Sequence, residues 1–138
     1  MAKTGKQVQS DVLALLKSGA LPSLITGKVY RNGYRPRDSK LEDAIVIFTA
    51  GLPDQIQTGV VTINIYVPDF DAFANGVLVE DGQRTGQLEI AAAQWVETLT
   101  AAKSDYKFSL QQTIYTEEEP DINQHFVVIK LKYKLLTI

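Results

Sequence analysis

The stretch Thr58-Gly59-Val60-Val61-Thr62-Ile63-Asn64-Ile65-Tyr66-Val67-Pro68 decides how its neighbours are read. Val61, Ile63, Ile65 and Val67 fall on one side of a two-residue period, with Val60, Thr62, Asn64 and Tyr66 on the other. Successive strand side chains point to opposite faces, so this is a strand over Thr58–Val67 with one face on a core. Just upstream, Ala44-Ile45-Val46-Ile47-Phe48 is an apolar run of strand length, closed by Gly51-Leu52-Pro53-Asp54. The two strands are expected to form a hairpin.

Working outward, Thr4-Gly5-Lys6-Gln7 has the form of a capping box, and Val8, Val12, Leu15 and Leu16 follow at helical spacing. The spacing predicts a helix over 6–18, stopped at Gly19. Leu21-Pro22-Ser23-Leu24 breaks it, and Lys28-Val29-Tyr30 reads as a short strand. Residues 31–41 form a cationic loop in which Asn32-Gly33 is a favourable type I′ turn pair. A second long connection starts at Pro68-Asp69-Phe70-Asp71.

Leu88, Ala92, Trp95, Leu99 and Ala102 make a stripe at spacings of four and three, predicting a helix over 84–103 with Trp95 as its core anchor. Tyr106, Phe108, Leu110 and Ile114 then alternate with polar residues. A turn at Glu117-Glu118-Glu119-Pro120-Asp121 leads to a last strand through Val127, Ile129, Leu131, Tyr133 and Leu135. The expected order is α-β-β-β-α-β-β, an α+β domain over residues 1–138. Its sheet is mainly antiparallel with two helices on one face, hairpins join strands 2–3 and 4–5, and the long helix crosses between them.

At 138 residues, 45% of them hydrophobic, the chain is long enough for one domain with a real core. No cysteine is present, which excludes disulfides, thiol nucleophiles and thiolate metal sites. The one histidine, His125, is suggested by no motif as part of a triad and is most simply an ordinary residue at the start of the last strand. No segment approaches roughly 18 unbroken apolar residues, so no membrane span is expected, and no signal-type apolar run follows the N-terminus. Both glycine-rich phosphate-loop patterns are absent. No cofactor is expected.

The net charge of −2 conceals a distribution. Residues 1–40 hold eight Lys/Arg and two Asp, a net of +6. Residues 41–121 hold three Lys/Arg and fourteen Asp/Glu, a net of −11, and residues 122–138 hold three Lys and no acid. Basic ends and an acidic middle either neutralise one another in the fold or mark an interaction surface.

Within these blocks, Arg31, Arg35, Arg37 and Lys40, interleaved with Tyr30 and Tyr34, suit a protein interface, with a solvated loop as the alternative, better than nucleic acid, because the chain as a whole is acidic. Asp69, Asp71, Glu80 and Asp81 read as turn acids, with a Mg²⁺ cluster as the alternative. Lys130, Lys132 and Lys134 form a ladder on one face of the last strand. It is either a solvated face or edge guard, or a surface for the Glu117-Glu118-Glu119 run of a neighbouring copy.

Gly27-Lys28-Val29-Tyr30 after a short helix, the strand Glu42-Asp43-Ala44-Ile45-Val46-Ile47, the segment Val60–Pro68, then a helix and a final hairpin together form a pattern. Taken from about Val8 to Leu136, it resembles the tail terminator (tail completion) and related head-to-tail joining proteins of long-tailed bacteriophages. The resemblance implies a structural virion protein, not an enzyme, made in the bacterial host cytoplasm. Such proteins assemble as ring-shaped hexamers that cap the tail tube, end its polymerisation and offer the surface for head attachment. The implied partners are copies of itself, the tail tube protein and head-connector proteins. No catalytic, metal or cofactor residue is carried over.

The resemblance places subunit or tube contacts at loops 31–41 and 68–82, although the first loop is longer and more basic here. The candidate interface residues are Arg31, Tyr34, Arg35, Arg37, Asp69, Asp71, Glu117, Glu118, Lys130, Lys132 and Lys134. A heterologous ring contact joins two different surfaces of one protein, and opposite charge blocks supply both halves. The competing readings are a small metal-dependent nuclease using Asp69, Asp71 and Glu80, and a monomeric binding module using the 31–41 loop.

Overall fold

In a computed structural model, residues 2–102 and 104–137 are described. Helix α1 (Gly5–Ser18) starts with the expected capping box: the Thr4 side chain accepts from the Gln7 amide, and the Gln7 side chain accepts from the Thr4 amide. Strands β1 (Val29–Arg31), β2 (Ala44–Leu52) and β3 (Ile56–Pro68) follow, then helix α2 (Gly82–Ala101). Strands β4 (Tyr106–Leu110), β5 (Tyr115–Glu119) and β6 (Gln124–Leu136) complete the chain. The α+β class holds: two helices and a six-stranded, mostly antiparallel sheet in the order β1-β2-β3-β6-β4, with β5 also pairing β6. Only β1 and β2 are parallel.

Val61, Ile63, Ile65 and Val67 of β3 and Val127, Ile129, Leu131, Tyr133 and Leu135 of β6 are buried, as the alternation requires. Val8, Val12, Leu13 and Leu16 of α1 and Leu88, Ala92, Trp95, Val96 and Leu99 of α2 join them in one cluster, so both helices cover the same face. Full burial of each such aliphatic side chain contributes about 1.5–3 kcal/mol, enough for this cluster to set the strand register. Gly19 ends α1 in an extended conformation, and a Cβ there would stand 2.9 Å from the Trp95 ring. Its role is close approach of the two helical elements.

Several expectations are corrected. The order gains a strand, α-β-β-β-α-β-β-β, because the single strand expected over Tyr106–Ile114 stops at Leu110 and resumes at Tyr115. β4 pairs residues 131–135 of β6 and β5 pairs residues 124–128, along the same edge. Between them residues 111–114 face only Ile129 and Lys130, so the chain bulges outward and then returns to the ladder. Glu117–Glu119, expected as a turn, belongs to β5. Glutamate is a poor strand former, but an edge strand keeps its charges in water while its backbone pairs on one side. The turn itself is Pro120–Ile122, closed by Asn123 in the left-handed region (φ 53°).

The expected hairpin of strands 4 and 5 is therefore the β5–β6 hairpin, with β4 pairing β6 from the bulge's far side. Asn32-Gly33 is not a type I′ turn, since Asn32 does not share the positive φ of Gly33 (88°). The Tyr34 amide donates to the Arg31 carbonyl, with glycine at the position type II turns require. Helix α2 starts two residues early because the Asp81 side chain caps it through the Arg84 amide. Ala102 lies beyond its last turn and is exposed, and the expected limit at residue 103 falls outside the described residues. No helix among the described residues is long and apolar enough to cross a membrane.

Candidate functional site

The 31–41 loop is pinned to the uncovered face of the sheet by one cation. Arg35 donates through Nε to Asp43 Oδ2 (2.9 Å) and through Nη2 to Gln124 Oε1 (2.9 Å), and its guanidinium lies 4.3 Å from the centre of the Tyr66 ring. Asp43 also accepts from the Lys28 amide (2.9 Å) and the Ser39 hydroxyl (2.5 Å). The Arg35 and Asp43 side chains are 8% and 0% exposed, so this ion pair belongs to the interior. A Cβ at Gly27 would collide with Asp43 Oδ1 at 1.9 Å, which fixes glycine where the chain passes the carboxylate. Arg31, Tyr34, Arg37 and Lys40 remain exposed on the loop's outer side. Arg37, Ile45, Tyr66, Glu119 and Ile122 line an open groove beneath it.

The second loop has the opposite character. Asp69 Oδ1 and His125 Nδ1 are 2.6 Å apart, and His125 Nε2 stands 3.7 Å from Glu80 Oε1. Glu80 Oε2 accepts from the Thr85 hydroxyl (2.7 Å). Both imidazole nitrogens therefore face carboxylates, and neither is directed at a nucleophile. Asp71 accepts from the Asn75 and Gly76 amides (3.0 Å each), and Phe70 and Val79 exchange backbone hydrogen bonds of 3.0 and 2.9 Å. Ala74 and Gly76 take positive φ to close the loop.

With Asp81 capping α2, the acids that sequence offered for a metal are engaged locally: Asp69 and Glu80 flank His125, and Asp71 is held by the amides of its own loop. No group of three or more His, Cys, Asp or Glu that could hold a metal occurs among the described residues. Beside exposed polar residues the loop presents a large apolar set: Phe70, Phe73, Val77 and Leu78 are 45%, 74%, 57% and 46% exposed. Sequence reasoning passed over them because it weighed only the loop's acids. The signal was present in Phe73 and in the polar-free run Val77-Leu78-Val79.

A second apolar group lies at the far end of the sheet. The β2–β3 hairpin carries a register shift between Phe48 and Ala50, which bends it. Leu52, Ile56 and Leu136 at its tip are 70%, 55% and 59% exposed. Ile56 and Pro68 bound a 13-residue strand, so the tip and the 69–80 loop sit roughly 40 Å apart.

Between these ends, the sheet face away from the helices is divided by charge. Lys132 and Lys134 of β6 stand opposite Ser109 and Lys107 of β4, and Lys130 stands opposite Thr62 of β3. No described acid pairs with these four lysines. In the other half, Glu117 and Glu119 of β5 oppose Phe126 and Gln124 on the same face, beside the tilted Tyr66–Phe126 ring pair. Glu118 opposes His125 and points to the helix side of the exposed edge. The Tyr115 hydroxyl donates to Glu117 (2.5 Å), which raises the phenol's pKa.

The neutralisation expected of the charge blocks is met in part. Arg35–Asp43 joins the basic N-terminal block to the acidic middle, and Arg84–Glu42 neutralises charge within that middle. The lysine ladder and the β5 glutamates are left over. No family model and no curated protein matches this chain.

Proposed function

We propose that the chain is a structural assembly protein that joins copies of itself into a ring and holds two different partners at the ring's two ends. In the setting that the sequence resemblance implies, it caps the tail tube of a long-tailed bacteriophage, ends tube growth and receives the head. Its work in this reading is contact rather than catalysis.

The observation that carries the proposal is the pair of exposed apolar groups at opposite ends of β3: Leu52, Ile56 and Leu136 at one, Phe70, Phe73, Val77 and Leu78 at the other. Large apolar side chains held in water on hydrogen-bonded frames are the signature of contact surfaces. Two such groups roughly 40 Å apart suit a protein placed between two partners. Against the nuclease alternative, Asp69 and Glu80 flank His125 while Asp71 braces its own loop, and the three form no carboxylate cluster among the described residues.

Light scattering and negative-stain microscopy of the purified protein, alone and mixed with phage tail tubes, test the proposal. Rings, or caps on tube ends, are the expected result. A protein that stays monomeric at every concentration and ignores tube ends overturns it.

A further inference from the structure

We infer that the lysine half of the open sheet face docks on the Glu117–Glu119 strand of a second copy of this chain. The inference rests on the self-assembly proposed above and names the surfaces that would carry it.

Lys107 and Lys134 stand directly opposite one another on β4 and β6 with no described acid beside them. Like charges facing across a strand pair oppose folding. Lys130 and Lys132 extend the same field along β6. The nearest acids on that face, on β5, cannot relieve it. Glu117 opposes Phe126, four residues along β6 from Lys130 and six from Lys132, which is about 13 and 20 Å at strand rise. Surface charges at those separations are screened over about 8 Å at physiological salt. Neither patch forms an ion pair among the described residues of one copy, although Glu119 shares its groove with Arg37, and the two patches are complementary between copies.

The surroundings favour a protein acid over a nucleic-acid phosphate. Thr58, Val60, Thr62 and Ser109 flank the lysines, offering no ring for a base to stack on. The rings on this face lie away from the lysines: Tyr66, Phe126 and Tyr115 in the half that carries Glu117 and Glu119, and Tyr30 on β1. The contact joins two different surfaces, so each copy keeps one free lysine half and one free acidic strand until a closed assembly forms.

Charge-swap variants test this. K132E with K134E, or E117K with E119K, is expected to weaken self-association about ten- to a hundredfold at moderate salt, read by sedimentation and light scattering. Mixing the two variants, or placing all four substitutions in one chain, is expected to restore it. Melting temperatures close to wild type confirm that each variant folds. If wild type assembles and neither swap changes it, this contact is wrong while the assembly proposal stands. If wild type is monomeric throughout, both fail. If the lysine variant loses binding to a short DNA duplex but assembles normally, the partner of the lysines is nucleic acid and the inference is overturned.

Discussion

The loops 31–41 and 69–80 are each held by a carboxylate paired with a nitrogen base, yet they put opposite chemistry into water. In the first, Arg35 turns inward onto Asp43 and Tyr66, and Arg31, Tyr34, Arg37 and Lys40 face out. In the second, Asp69 and Asp71 are engaged at the loop's base and by its own amides, and Phe70, Phe73, Val77 and Leu78 face out. The first loop is a working part of the fold, because its anchor fills a buried polar site. The second rests on a local frame, and its exposed side chains add little to the stability of the single chain.

Breaking the two anchors separates these roles. Asp43→Ala leaves the Arg35 guanidinium buried without its carboxylate and the Lys28 amide without its acceptor. Loss of one partner of a buried ion pair costs about 3–5 kcal/mol, so denaturant unfolding should show a large drop in stability. Asp69→Ala removes the corresponding base from the second loop, where His125 keeps Glu80 nearby and is itself partly exposed. A loss of about 1–2 kcal/mol is expected in the same measurement. Equal losses would erase the distinction between the loops.

The side chains at the tip of the second loop sharpen the comparison further. Phe73→Ser removes the most exposed aromatic of the group, and stability should stay within about 0.5 kcal/mol of wild type. Under the proposed function, binding at that end should fall sharply, as read by capture of tail tubes or connectors. A variant that binds as wild type does would remove the 69–80 loop from the contact surfaces.

How far the sequence already disclosed these features follows from the range of the forces involved. The capping box, the β3 alternation and the α2 stripe depend on residues within a few positions of one another, and all three are legible in sequence. The β4–β5 interruption is not, because two extra residues at 111–114 acquire meaning only against β6. Arg35 reads like its neighbours Arg31 and Arg37, and only the placement of Asp43, Tyr66 and Gln124 turns it inward. The lysine ladder is visible from its period of two. Its lack of internal acids, and the facing of Lys107 on Lys134, require the strand pairing.

The smallest expected effect concerns alkaline pH and again separates the two loops. Burial raises the pKa of the Tyr66 phenol, and the charge of Glu119 adds to this, while Arg35 above the ring acts in the other direction. A phenol whose pKa is higher in the folded than in the unfolded chain favours folding while it is neutral. That contribution is complete below the ordinary tyrosine pKa of about 10 and is lost as pH rises through the folded value. Wild type should therefore lose thermal stability more steeply above about pH 10 than Tyr66→Phe, with a constant gap between them below it. The Tyr106 phenol is also raised, by burial and its bond to Asp11, but it is common to both proteins and cancels in the comparison. The loss should begin at the 31–41 loop, seen as faster hydrogen exchange of the Lys28 and Ala44 amides, whose acceptors lie beside Arg35 and along β1. No tyrosine lies in the 69–80 loop, so the Phe70 and Val79 amides should keep their protection over the same range. Parallel loss at both loops would mean that the phenol acts on the whole domain and not through the cation that closes the first loop.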